Sequence, residues 1–309
     1  MNRVYTFLLA AMTALIFSAC DDSSSFNPYE AREKRPFYPT TIAFCTVDNN
    51  ETKTDKKWDF TYNADNTINT YKYQTSITTK EGKEITESHA GKLIYYTDAT
   101  GKQWIQNDIV VTNTVKDFAL IESYCDTIKE DVSLSSGLIQ SIRTTGQRSY
   151  SNGTKEIYSN SREFSYTDKY CTGSTYNTST AKTTYRYDWS NSRLNKVTVY
   201  EQEKNNSMMQ QVYKYTYNSR DLGSDYGFNT LAFIYGNMPE IYASMNLFGA
   251  TSAYKLEGEN YSGYGNINGM QYNISPVSRN FAILETTGSV TYTADSPNSS
   301  SYYFTFIKQ

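Results

Sequence analysis

From about Phe37 to the C-terminus the chain repeats one pattern, with Thr, Tyr, Val or Ile at alternate positions and turn residues at spacings near ten. A period of two places successive side chains on opposite faces of an extended strand, and closely spaced turns join such strands as hairpins. The runs that read most clearly are Lys57 to Tyr62, Thr67 to Ile77, Lys92 to Thr97, Trp104 to Val111, Leu138 to Tyr150, Lys155 to Tyr166, Thr183 to Trp189, Asn195 to Glu201, Met209 to Tyr217 and Ser301 to Ile307. Asn152-Gly153 supplies two residues that tolerate positive φ and is the strongest hairpin signal; Glu81-Gly82 and Asp98-Ala99-Thr100-Gly101 are weaker ones. Strong helical periodicity is absent before residue 220, so the pattern predicts an all-β chain.

A weak repeat runs through these strands: two aromatics two apart, then Asn or Asp, a polar turn, an aliphatic residue and a second strand. Examples are Phe60-x-Tyr62-Asn63 with Ile68, Tyr71 and Tyr73; Tyr185-x-Tyr187-Asp188 with Leu194, Val197 and Val199; and Tyr213-x-Tyr215-x-Tyr217-Asn218. Phe164-x-Tyr166 is a partial copy. The paired aromatics share one face, where a cross-strand contact contributes roughly 0.2–1 kcal/mol. So many twisted strands do not stay flat, and the expectation is a single antiparallel meander curled into an open or closed barrel. A short helical or irregular plug is expected around residues 229 to 250.

The segments WDFTYNADNTINTYKY, TTYRYDWSNSRLNKVTVY and YKYTYNSRDLG resemble the Tyr-x-Tyr-Asp/Asn hairpins of bacterial lipoprotein families of unknown function that have a porin-like, partly closed barrel. They are more distantly similar to the tyrosine-aspartate repeats of Rhs-type secreted shells, but lack the regular Gly-Arg after the Asp and the long unbroken array. The lipoprotein resemblance implies a fold and an envelope location and brings no catalytic or binding residues with it.

Residues 1–19 read as an export signal, with Arg3 before the apolar stretch Val4 to Phe17, too short for the roughly 20 residues that span a bilayer. Phe17-Ser18-Ala19-Cys20 is similar to a lipobox, whose Cys becomes acylated; Phe17 stands where Leu is usual, and the alternative is a plain secretory signal. Cys20 is thus the expected lipid attachment site and membrane contact, with residues 20–36 as a flexible tether and 37–309 as the β domain. Three Cys remain, Cys45, Cys125 and Cys171, an odd number with no C-x-x-C spacing, which leaves free thiols or one bridge.

Composition narrows the function. The chain has 29 Lys+Arg against 32 Asp+Glu, a formal charge of -3, and so no basic field for a phosphate backbone, which argues against nucleic acid as a partner. One His, His89, rules out a two-His zinc site, and its polar setting, Thr86 to Gly91, reads as a segment entering a turn rather than as a general base. Neither a nucleophile elbow nor a dinucleotide fingerprint occurs, and Asp221 with Asp225 is too sparse for a calcium loop. No cofactor or metal is expected. Two carboxylates suffice for glycoside hydrolysis, and Glu257, Glu259, Glu240 and Asp188 are available, but no motif selects them. The reading is a non-catalytic module that binds a glycan or other small ligand at the bacterial envelope. The alternative is an assembly component of an outer-membrane or surface complex. Aromatic groups for binding are Trp189 and the stretch Glu257 to Tyr272 with Tyr261, Tyr264 and Tyr272, a stretch that also reads as a loop-rich closure of the barrel. Thr, Ser, Lys and Tyr on both faces favour a lipid-anchored water-soluble barrel over an integral porin.

Overall fold

The computed structural model describes residues 39–47, 53–117, 120–203, 207–221, 239–245, 247–249, 254–267, 270–285, 289–296 and 299–308. The strands are β1 (Pro39–Val47), β2 (Lys53–Tyr62), β3 (Ile68–Thr78), β4 (Glu84–Thr97), β5 (Gln103–Asp117), β6 (Leu120–Ser135), β7 (Leu138–Tyr150) and β8 (Lys155–Thr167). They continue as β9 (Tyr170–Asn177), β10 (Ala181–Ser190), β11 (Arg193–Glu203), β12 (Met208–Asp221), β13 (Tyr254–Ile267), β14 (Met270–Glu285), β15 (Ser289–Ser296) and β16 (Ser299–Lys308). One short helix, α1 (Glu240–Ser244), precedes β13. Each strand pairs antiparallel with its neighbours in sequence, and β1 pairs with β16 from Pro39↔Lys308 to Thr46↔Tyr302, so the meander closes into a barrel. Closure satisfies the backbone groups that two free edges would expose.

Register carries one inward residue of each strand into a shared row. Tyr95, Ile105, Val132, Ile142 and Arg162 form one such row, and Leu93, Asn107, Glu130, Thr144 and Asn160 the next. The inward aromatics of the repeat form part of the core: Trp58 lies 4.5 Å from Tyr73 and 5.4 Å from Tyr71, ring to ring. Between these inward positions the outward face carries Lys57 and Lys72 on β2 and β3, Asp108 and Lys129 on β5 and β6, Glu163 on β8 and Lys214 on β12. A basic residue facing lipid at mid-bilayer costs about 2–4 kcal/mol. Charges of both signs thus recur along the outer wall from β2 to β12, and no helix among the described residues is long and apolar enough to cross a membrane, which says nothing of a barrel that crosses with its strands.

The segment around α1 packs inside the barrel. Tyr242, Met245 and Leu247 are wholly buried, and Phe248 lies 5.0 Å from Phe164. Ile139 N–H donates to the Leu247 carbonyl at 3.1 Å, and Gly249 bridges to Tyr170. The expected plug is present at Glu240–Ser244, while residues 222–238, including Asp225 and Leu231 to Tyr235, lie outside the described residues. The register places the plug at the barrel end that carries the turns after β2, β4, β6, β8 and β10, and Pro39 and Lys308 lie at that same end.

Candidate ligand-binding site

At the plugged end the sheet parts. β9 and β10 stay paired only as far as Gly173↔Arg186. Beyond it β9 continues with β8 as far as Thr167↔Tyr170, and β10 continues with β11 as far as Ser190↔Arg193, each pairing shifted by a bulge. Trp189 fills the seam, its indole N–H donating to the Cys171 carbonyl at 2.8 Å. The diverging strands leave a groove of ≈ 610 Å³ lined by Tyr170, Thr172, Arg186, Asp188, Trp189 and Asn191, with Asp168 and Ser192 from the two turns. That volume falls in the range of about 300–1,000 Å³ typical of small-molecule sites.

The Tyr170 and Trp189 rings stand 5.0 Å apart at 41° and form an aromatic ledge. Tyr170 is tied by its hydroxyl to Ser192 Oγ at 3.0 Å. Asp188 pairs with Lys196 at 2.6 Å on the outer wall. Arg186 is exposed and has no side-chain partner among the described residues. Asp168, Asn191 and Ser192 take left-handed backbone, with φ of 53, 50 and 58°, which turns the two hairpins tightly beside the ledge. The groove thus offers ring faces, a cation, carboxylates and a side-chain amide within one recess.

A second group of polar side chains faces the barrel interior. His89 Nε2 lies 2.6 Å from Glu87 Oε1, while Asn113 Nδ2 and the Tyr124 hydroxyl donate to Glu87 Oε2 at 3.3 and 3.4 Å. Arg148 clamps Asp126 with two bonds of 2.9 Å and lies 4.0 Å over the Tyr124 ring. The hydrogen bond from His89 holds the Glu87 carboxyl below its ordinary range, against the opposing effect of burial. Burial and the Asp126 charge push the Tyr158 phenol up to about 12, so it remains a neutral donor to Asp126 Oδ2 at 3.3 Å.

Around the plug, Tyr242 donates to Glu130 at 2.5 Å, joined by Asn107 at 3.0 Å and Thr144 at 3.5 Å. Burial raises the Glu130 pKa, only partly offset by these donors. Glu240 is raised by burial as well, against the charge of Lys56, and accepts from Trp58 Nε1 at 2.8 Å. Tyr71 reaches Asn107 at 3.2 Å because residue 91 is glycine: a Cβ there would stand 2.1 Å from Tyr71 Cζ. Gly146 makes the same room for Tyr158, at 2.3 Å.

Several sequence expectations change. His89 does not enter a turn; it lies within β4, faces inward, and meets Tyr73 edge to face at 4.8 Å, because β4 runs eight residues further toward its N-terminus than the run from Lys92 suggested. Glu257 to Tyr272 is not a loop closure but the hairpin of β13 and β14. Within it Tyr261 stacks on Tyr213 at 4.8 Å, while Tyr264 and Tyr272 are exposed. The four carboxylates do not form one site: Asp188 is on the outer wall, Glu240 in the plug, Glu259 buried on β13 opposite Tyr215, and the side chain of Glu257 lies outside the described residues. Cys45, Cys125 and Cys171 are free thiols, and burial pushes that of Cys171 up to about 12. Cys20 and the tether also lie outside the described residues. Trp189 stands in the groove; Tyr170 and Arg186, which complete it, carried no pattern of their own in the sequence.

No family model matches the chain, and no curated protein does. Among solved structures it is similar to a porin-like protein from Bacteroides uniformis, at 11% identity and a TM-score of 0.47 over 90% of this chain and 97% of that one. A porin-like protein from Bacteroides vulgatus is similar at 13% identity and a TM-score of 0.48, over 87% of this chain and 98% of that one.

Proposed function

We propose that the protein is a non-catalytic binding module of a bacterial cell envelope, held by a lipid on Cys20, whose outer groove takes a saccharide. The observation that carries the ligand class is the Tyr170–Trp189 ledge beside Arg186. A sugar presents an apolar C–H face that suits an aromatic ring and a rim of hydroxyls that suits amides, carboxylates and a guanidinium. Arg186, with no competing side-chain partner among the described residues, favours saccharides that bear a carboxylate or another acidic group. Pro39 lies at the groove end, so a tether from Cys20 would hold the barrel by that end and keep the groove on the membrane side.

A glycan array probed with the purified full chain tests the reading. Binding that is lost in Tyr170→Ala and in Arg186→Ala, with the unfolding midpoint unchanged, supports it. Absence of binding, or binding indifferent to both substitutions, removes the groove from consideration. Cys20→Ser should release the exported protein from the membrane fraction; retention would exclude the lipid anchor.

The assembly reading has one observation in its favour. Tyr200, Gln210 and Tyr264 stand in one outward row with Met208 nearby, and Tyr200, Met208 and Tyr264 are 37, 55 and 59% exposed. Site-directed photo-crosslinking in cells from position 264 checks it: a defined envelope partner supports assembly, and only free protein counts against it.

A further inference from the structure

The inward cluster around Asn113 borders the plug, since Lys56 and Trp58, which continue its two rows on β2, respectively pair with and bond Glu240. Among the described residues, no hydrogen bond of Glu87, Asn113 or Asp126 reaches the plug or the outer groove. Two adjoining rows build the cluster: Thr75, Glu87, Asn113, Tyr124 and Tyr150, then Tyr73, His89, Val111, Asp126 and Arg148. The first row lies toward the barrel end opposite the plug, and its last member, Tyr150, is the final residue of β7. Although they face inward, Glu87, His89 and Arg148 keep side-chain exposures of 27, 23 and 31%, so there is open space beside them.

Asn113 is 7% exposed and has one amide atom engaged. Its neighbour Glu87 is an acceptor, which fixes the donor Nδ2 toward that carboxylate and leaves Oδ1 as an acceptor without a donor. A buried acceptor in that condition is unfavourable unless something supplies a proton. The charges around it are specific. Arg148 and Asp126 neutralise each other through a two-pronged contact, and Lys56, beside Thr75 in the first row, pairs with Glu240 at 3.7 Å, which leaves the carboxylate of Glu87, with His89 on one oxygen and Asn113 and Tyr124 on the other. The unpartnered acceptor therefore asks for a hydrogen-bond donor and the adjacent carboxylate for a cation, while the face of the Tyr124 ring already carries the Arg148 guanidinium at 4.0 Å.

We propose that this cluster is a second ligand site, distinct from the groove, that holds the ammonium group of a small primary amine. The ammonium donates to Asn113 Oδ1 and lies beside the Glu87 carboxylate. An amino sugar and a free aliphatic amine both present that group, so both serve as probes. An anion would meet Glu87, and a neutral polyol could satisfy Asn113 without answering the charge.

Titrations of the full chain with glucosamine, N-acetylglucosamine and putrescine, followed by calorimetry or by NMR of the protein, test the proposal. Saturable binding of glucosamine or putrescine is expected, with N-acetylglucosamine at least tenfold weaker than glucosamine. Binding of glucosamine alone identifies an amino sugar as the favoured source, and binding of putrescine identifies any small amine. Asn113→Leu should weaken amine binding at least tenfold. Glu87→Gln, which keeps the amide acceptor and removes the charge, should do so as well and should abolish the dependence on salt. Arg186→Ala in the groove should leave amine binding unchanged, which separates failure of this site from failure of the saccharide reading. No saturable amine binding, equal affinity for the acetylated sugar, or full affinity in both Asn113→Leu and Glu87→Gln would overturn the proposal.

Discussion

The close approach of Tyr71 to Gly91 gives a stability prediction that can be worked from distances. Gly91→Ala would set a methyl group 2.1 Å from Tyr71 Cζ, 2.2 Å from Cε1 and 2.6 Å from the hydroxyl. Carbon atoms in contact rest about 3.5–4.0 Å apart, so the ring must move by roughly 1.5 Å. It has nowhere ready to go: Tyr71 is 3% exposed and has Trp58 on one side. Its hydroxyl also bonds Asn107, which holds Glu130 and the plug residue Tyr242. Overpacking costs about 1–3 kcal/mol. Leaving the Asn107 carbonyl side without its donor costs about 1–3 kcal/mol more. The expected loss is therefore about 2–6 kcal/mol. The assay is urea unfolding of the wild type, Gly91→Ala, Tyr71→Leu and the double variant. With the ring removed, Gly91→Ala should cost less than about 0.5 kcal/mol, giving a coupling of about 1.5 kcal/mol or more. An equal cost in both backgrounds would show that the glycine is not there to admit the tyrosine.

Four further outcomes are expected. Arg148→Met strands the Asp126 carboxylate, which is 3% exposed, and should destabilise by about 3–5 kcal/mol in the same unfolding assay. Tyr242→Phe removes the donor 2.5 Å from Glu130 and should cost about 1–3 kcal/mol, again read from urea unfolding. Glu87 has a lowered pKa in the fold, so its contribution is present above the unfolded value of about 4.3 and is lost as pH falls through the folded value; melting curves of wild type and Glu87→Gln should converge at low pH. Glu130 is raised, so its contribution has the opposite sign, present below the unfolded value and lost as pH rises through the folded one; Glu130→Gln, which mimics the neutral carboxyl, should gain on the wild type as pH goes from 4 to 8. A constant difference across that range would contradict the assignment.

The fold was legible in the sequence where alternation coincided with strong turn chemistry. β7, Leu138–Tyr150, matches its expected bounds because Asn152-Gly153 closes it, and β8 opens at the expected Lys155. Alternation failed where inward positions are polar. In β4 the inward residues include Glu87, His89 and Gly91, so its first half read as solvated chain, although those residues line the barrel. β6 carries Tyr124, Asp126, Ile128 and Glu130 inward, and its period was invisible for the same reason. The Gly-rich hairpin of β13 and β14 read as loop because Gly263 and Gly265 interrupt its aromatics. The groove was half legible: Trp189 was a candidate, but its setting depends on β9 and β10 parting beyond Gly173↔Arg186, a register event with no local signature. The inner cluster was illegible, since Glu87, Asn113 and Asp126 meet only through pairing across three strands.

The most direct test of the saccharide reading is a crystal structure of the full chain with the strongest hit from the array. The sugar ring should lie in the groove between β9 and β10, one face against Tyr170 or Trp189, with an oxygen within hydrogen-bond reach of Arg186. A ligand seated elsewhere on the barrel, with the ledge bare, would contradict it.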